Sequence, residues 1–185
     1  MDPAGGRRVK EEKIIHPIPP LYREDSRILI LGSFPSVKSR ESAFFYGHPQ
    51  NRFWKVMAAV FGDSVPTDVP QKRDFLIRHQ IAAWDVIHSC TIRGSSDASI
   101  KDVVPNDLAV ILDHAPIGQI FVNGKTAEKM YRKYIEPVIG RKAVCLPSTS
   151  PANAAWSLER LTEAWRCVKV CQGDVCHGDV SADTF

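Results

Sequence analysis

The chain has no apolar run long enough to cross a membrane, and residues 1–13 lack the apolar core of a secretory signal. These absences predict a soluble intracellular protein, in cytoplasm or nucleus, with no membrane partner. Strong charge is also missing: 24 basic and 21 acidic residues leave a net +3. That argues against a uniformly basic nucleic-acid-binding surface, while a local patch would still suffice for phosphate contacts. Five cysteines, with no Cys-x-x-Cys pair, do not make a disulfide framework or a short zinc or iron–sulfur motif. No metal and no cofactor is expected. Cys90 and Cys145 read as small core residues, and Cys167, Cys171 and Cys176 as reduced thiols. No internal repeat is visible.

What is present is the composition of one ordinary globular domain: 185 residues, 44% hydrophobic and 24% charged. Residues 1–26 read as a charged, Gly-rich tail followed by a proline-rich extended connector. Residues 27–168 read as the domain, and residues 169–185 as a disordered Gly/Asp-rich tail. Apolar runs predict strands at Ile28–Leu31, Ile81–Ile87, Gln119–Val122 and Ala143–Leu146. Between them, apolar residues recur at helical spacing: Phe53, Val56, Met57, Val60 and Phe61; Leu108, Ile111, Leu112 and Ala115; Ala127, Met130, Tyr131 and Tyr134. Leu158, Leu161 and Trp165 extend the pattern, and a shorter helix is expected from Gln71 to His79. Strands alternating with helices imply βαβ units. The expected fold is a three-layer α/β/α sandwich around a central, mainly parallel four-stranded sheet.

Three segments carry the chemistry. Leu31-Gly32-Ser33-Phe34-Pro35-Ser36 ends the first strand. Phe45-Tyr46-Gly47-His48-Pro49-Gln50-Asn51-Arg52-Phe53-Trp54 runs into a helix. Leu146-Pro147-Ser148-Thr149-Ser150-Pro151-Ala152-Asn153 follows the last strand. Open α/β sheets place ligands at the carboxyl ends of their strands, and amides, an imidazole and aromatic rings suit a flat heterocycle. Together with Trp84-Asp85-Val86-Ile87 and Arg93-Gly94-Ser95-Ser96-Asp97, these segments resemble the hypoxanthine-DNA glycosylase branch, family 6, of the uracil-DNA glycosylase superfamily. Asn51–Val56 is also similar to the mismatch-specific uracil glycosylases. The resemblance spans Arg27 to Val168.

The resemblance implies a uracil-DNA glycosylase-like fold and hydrolysis of a base–sugar bond. The target base must leave the duplex, at a cost of roughly a few kcal/mol, and needs a pocket, a positioned water and donors for the departing base. Asn51 is the implied water-holding residue, because Phe34 stands where the mismatch-specific relatives have their Asn; the alternative is a helix cap. Phe34 and Tyr46 are candidates to stack on the base, or are core. Gly32 and Ser33 offer backbone N–H groups close to it, and His48 either contacts it or caps its own loop. Asn123, at a strand end, either reads the Watson–Crick edge or turns the chain. Asp85 is a second catalytic candidate, as general base, or a turn residue. Ser148, Thr149, Ser150 and Asn153 are candidate DNA contacts, with Arg93 on a phosphate or in solvent. Leu146 replaces the His of many relatives, which implies another donor to the leaving base.

The expected function is a monofunctional, monomeric DNA glycosylase of base excision repair. Its expected partner is DNA containing a deaminated base, mainly hypoxanthine. A uracil-preferring enzyme, a non-catalytic nucleic-acid-binding module and a hydrolase or transferase of free nucleosides are the rival readings.

Overall fold

In the computed structural model, residues 10–171 are described. The expectations for residues 1–9 and 172–185, including Cys176, lie outside them. β2 (Ile28–Gly32) and β3 (Ile81–Asp85) are buried at every position, the mark of strands covered on both faces. With β6 (Gln119–Asn123) and β7 (Val144–Leu146) they form a four-stranded parallel sheet of order β3-β2-β6-β7. β2 is central: Ile30 faces Ala83 on one side and Phe121 on the other. Helices flank this sheet, as expected for a three-layer α/β/α sandwich.

The helices follow local chemistry. α1 (Val37–Ser42) starts where the Ser36 side chain accepts from Ser39 N–H. α2 (Phe53–Phe61) buries seven of nine side chains and ends at Gly62, which takes the left-handed conformation. α3 (Val69–Arg78) is capped by Asp68 and begins two residues before the position expected from sequence, because Pro70 suits the first turn. α4 (Ala109–Leu112), α5 (Lys125–Tyr134), α6 (Glu136–Ile139), α7 (Leu158–Trp165) and α8 (Cys167–Val170) complete the described helices.

Two sequence expectations are corrected. Ile81–Ile87 is not one strand. After Asp85 the Val86 and Ile87 amides donate to the carbonyls of Gly32 and Ser33, which turns the chain into β4 (Ile87–Arg93). β4 lies in a second, antiparallel sheet of order β1-β4-β5, with β5 at Lys101–Pro105. Residues 11–15, expected in the tail and connector, form β1 (Glu11–Ile15) of that sheet, paired with β4 from Glu11↔Arg93 to Ile15↔Ser89. Beyond β1, Ile18 and Leu21 are buried, and Leu21 bridges to Ala83 of β3. The N-terminal segment therefore reaches the edge of the main sheet.

Candidate active site

The carboxyl ends of β2, β3, β6 and β7 open into a cleft of about 460 Å³. Gly32, Ser33, Phe34, Tyr46, His48 and Asn51 line it, as do Asp85, Asp97, Asn123 and the loop after β7. Segments far apart in sequence converge there because β2, β3 and β6 share one direction.

Gly32 makes the floor possible. A Cβ added there would stand 2.3 Å from Asp85 Oδ1 and 3.6 Å from Tyr46 Oη, so any other side chain would displace one of them. Asp85 is buried, and its Oδ2 is 2.7 Å from His16 Nε2. Tyr46 holds φ +51°, a left-handed conformation that costs a non-glycine residue energy. Trp54 Nε1 donates to its carbonyl, and its ring stacks on Phe53 with centroids 3.8 Å apart. One face of the ring is thus committed to the core. The Tyr46 hydroxyl is buried without a hydrogen-bond partner among the described residues. Burial, then the charge of Asp85, holds this phenol well above its usual range, so it remains an O–H donor.

Asn51, Thr149 and Asn123 form one chain of hydrogen bonds. Asn51 Oδ1 accepts from Phe53 N–H at 3.0 Å and from the Thr149 hydroxyl at 2.9 Å. Asn123 Nδ2 donates to Thr149 Oγ1 at 3.0 Å, and Asn123 Oδ1 accepts from Thr149 N–H at 3.1 Å. Asn51 therefore binds the first amide of α2, although the N-cap position itself is Arg52. The Asn51 Nδ2 has no hydrogen-bond partner among the described residues, and Asn51 lines the cleft. Asn123, expected to read the base edge, has both arms of its amide turned to Thr149. Thr149, expected on DNA, is fully buried with its hydroxyl spent inside the protein.

The other candidates divide. Ser33 Oγ donates to both carboxylate oxygens of Asp97 at 3.3 Å. Burial within the cleft wall raises the Asp97 carboxyl above its ordinary range, opposed by hydrogen bonds from Thr126 and Ser33 and helped by the charge of Asp85. Phe34 is buried and meets His16 edge-on, so core packing accounts for much of its ring. His48 Nδ1 accepts from Gln50 N–H at 3.1 Å, the loop cap. Ser148 and Ser150 accept from Ser150 and Ala152 amides, and Asn153 Nδ2 donates to the Ser148 carbonyl. Arg93, expected on a phosphate, pairs with Glu11 at 3.1 Å on the small sheet and does not line the cleft.

Two organising residues escape a reading of the sequence. Arg52 donates to the carbonyls of Thr149, Ser150, Asn153 and Trp156, so one guanidinium holds the loop after β7 in shape. His16 reaches Asp85 from the N-terminal segment. Neither stands out, because their partners lie 69 to 104 residues away. Among the described residues, no cluster of three or more His, Cys, Asp or Glu is placed to hold a metal, and no helix is long and apolar enough to cross a membrane.

The fold and cleft define a three-layer α/β protein whose polar site sits at the ends of its parallel strands. Residues 19–169 match the family model described as the uracil DNA glycosylase superfamily. A protein of Methanosarcina barkeri named hypoxanthine DNA glycosylase is 33% identical over 152 residues, which cover 80% of this chain and 92% of its own length. One of the same name from Methanosarcina acetivorans is 32% identical over 155 residues, 81% of this chain and 94% of that one. A solution NMR structure from Methanosarcina acetivorans, assigned provisionally as a uracil DNA glycosylase, superposes with a TM-score of 0.73 at 30% identity, covering 87% of this chain and 100% of the other. The chain belongs to the uracil DNA glycosylase superfamily and is a DNA glycosylase, with DNA as its substrate.

Proposed function

We propose that this glycosylase excises hypoxanthine from DNA in base excision repair. The observation that carries the reading is the single cleft in which Asn51, Asp85 and Asn123, from three separate segments, meet at the strand ends. The choice of base is supported by two relatives named for hypoxanthine, whose lengths this chain covers almost fully.

The chemistry is hydrolysis. Water attacks C1′, the bond to the base nitrogen breaks, the base leaves with the electron pair, and an abasic site remains. Among the described residues no lysine lines the cleft, and a lyase step would need such an amine. Asn51 is the water-holding residue. For Oδ1 to take a water it exchanges the Thr149 hydroxyl, which keeps Asn123 as a partner, so the exchange costs about one neutral hydrogen bond, about 0.5–1.5 kcal/mol. The sugar gains positive charge while the base gains negative charge, and the Asn51 amide, whose Nδ2 has no partner among the described residues, is a donor in the right cleft. Leu146, at the position of the family's His, is buried in β7. The leaving base must therefore be stabilised from other groups such as the Asn51 amide.

Base release from oligonucleotides with a single deoxyinosine tests the reading, alongside Asn51→Ala. Hypoxanthine release that the variant loses while DNA binding persists supports it. Release of uracil alone would make the protein a uracil enzyme on the same scaffold.

A further inference from the structure

His16 lies outside residues 19–169, which match the family, yet it holds an acidic side chain on the cleft floor. Its backbone N–H donates to the His88 carbonyl at 2.7 Å, and Trp84 Nε1 donates to the Ile18 carbonyl at 3.1 Å, so the segment is clamped to β3 and β4. Its ring packs edge-on against Phe34 and Trp84. Its Nδ1 accepts from Ile18 N–H at 3.2 Å. The ring proton therefore sits on Nε2 and is donated to Asp85 Oδ2 at 2.7 Å. The His16 side chain is 1% exposed and that of Asp85 8%.

This contact fixes what Asp85 presents. With Oδ2 taken by a donor, the open oxygen is Oδ1, which has no partner among the described residues and faces the cleft beside Gly32. The buried Tyr46 hydroxyl, unpartnered, flanks the same glycine. An acceptor thus stands at the floor, while the Tyr46 hydroxyl beside it is closed off from solvent. Hypoxanthine offers the complement, a ring N1–H donor next to the O6 acceptor. Adenine offers the reverse, a bare N1 next to an amino group. Two acceptors facing each other without a proton between them leave both unsatisfied, which discriminates more strongly than a missing contact.

We infer that His16 acts through Asp85 as a specificity-determining positioning residue: it keeps Asp85 Oδ1 an acceptor for the base N1–H. The inference rests on the proposed excision of hypoxanthine and names the residues that select it. Removal of the His16 donor frees the Asp85 carboxyl to rotate, so Oδ1 is no longer held toward the base N1–H and selectivity falls. Uracil, with N3–H beside O4, passes the same test, as do guanine and thymine, so the device rejects adenine and cytosine, the amino-bearing parents of the two deaminated bases, and does not separate those two from each other.

The experiment compares single-turnover base release from full-length protein on two oligonucleotides. One carries deoxyinosine. The other carries the deoxynucleoside of unsubstituted purine, which has a bare N1 and no O6. The readout is the ratio of the two rates, because a partly misfolded preparation lowers both equally. Asp85→Asn, whose amide can turn an N–H toward N1, is expected to lower the inosine-to-purine ratio by about tenfold, the scale of one good hydrogen bond. His16→Leu is expected to lower it in the same direction. His16→Gln, whose amide N–H can reach the place of Nε2–H, is expected to restore it. Equal losses on both substrates, or an unchanged ratio in His16→Leu, overturn the inference while leaving the proposed function standing. No hypoxanthine release by the native protein overturns both.

Discussion

The Thr149 hydroxyl donates to the Asn51 carboxamide oxygen at 2.9 Å, across 98 residues of sequence. It also accepts from Asn123 at 3.0 Å. One fully buried hydroxyl thus sets the orientation of two amides at the mouth of the cleft. Thr149→Val keeps the shape and removes both bonds. Hypoxanthine release should fall roughly three- to tenfold, the kinetic equivalent of about one neutral hydrogen bond, with a lower melting temperature. Unchanged single-turnover kinetics would show that Asn51 needs no such support.

Arg52 shapes the loop after β7 through four backbone carbonyls. Lysine keeps the charge but has no planar fork to reach several acceptors at once. Arg52→Lys should therefore weaken binding to abasic-site DNA and slow base release, while far-ultraviolet circular dichroism stays native. Titration of a fluorescent oligonucleotide measures the first effect. Affinity equal to the native protein's would remove Arg52 from the account of the loop.

The parallel sheet was legible from sequence. Ile28-Leu29-Ile30-Leu31 is a short, uniformly apolar run, and such runs read as strands buried on both faces; all four residues are fully buried. α2 was legible because its apolar residues repeat at helical spacing. The small sheet was not. β1 reads Glu-Glu-Lys-Ile-Ile, without apolar alternation, and is held by pairing with β4 and by Glu11 contacts to Arg93 and Lys101. In the site, Asn51 and Asn123 stood out by type and by resemblance. His16 and Arg52 did not, because Asp85 lies 69 residues from one and the other bonds only to backbone carbonyls, which leave no trace in side-chain identity.

Gly32→Ala tests how tightly the cleft floor is built. The new methyl group would lie 2.3 Å from Asp85 Oδ1, far inside contact distance, and Asp85 cannot retreat without breaking its bond to His16. Hypoxanthine release should drop by more than about tenfold, more than one ordinary hydrogen bond supplies. Melting temperature, read by differential scanning fluorimetry, should fall as well, because the displaced Asp85 loses its buried bond to His16. Native activity in this variant would place the base elsewhere in the cleft.

Asp63 ties the end of α2 to the end of α3. Its carboxylate accepts from Arg78, His79 and the Ser64 amide, and these hydrogen bonds, Arg78 first, hold its carboxyl far below the usual range. A carboxyl depressed in the folded state adds stability that is fully present above its unfolded value, about 4, and lost as pH falls toward the folded value. Asp63→Asn should melt below the native protein at pH 7, with the gap closing as pH drops below about 4. Thermal denaturation across this pH range checks the sign, and a gap that widens in acid would contradict it.

The most direct test is base release by the native protein from two oligonucleotides that differ at one position, one with deoxyinosine and one with deoxyadenosine. A cleft whose floor accepts N1–H should release hypoxanthine and leave adenine in place, with release abolished in Asn51→Ala. Folded protein that binds both oligonucleotides and releases neither base, or releases both alike, would contradict the account.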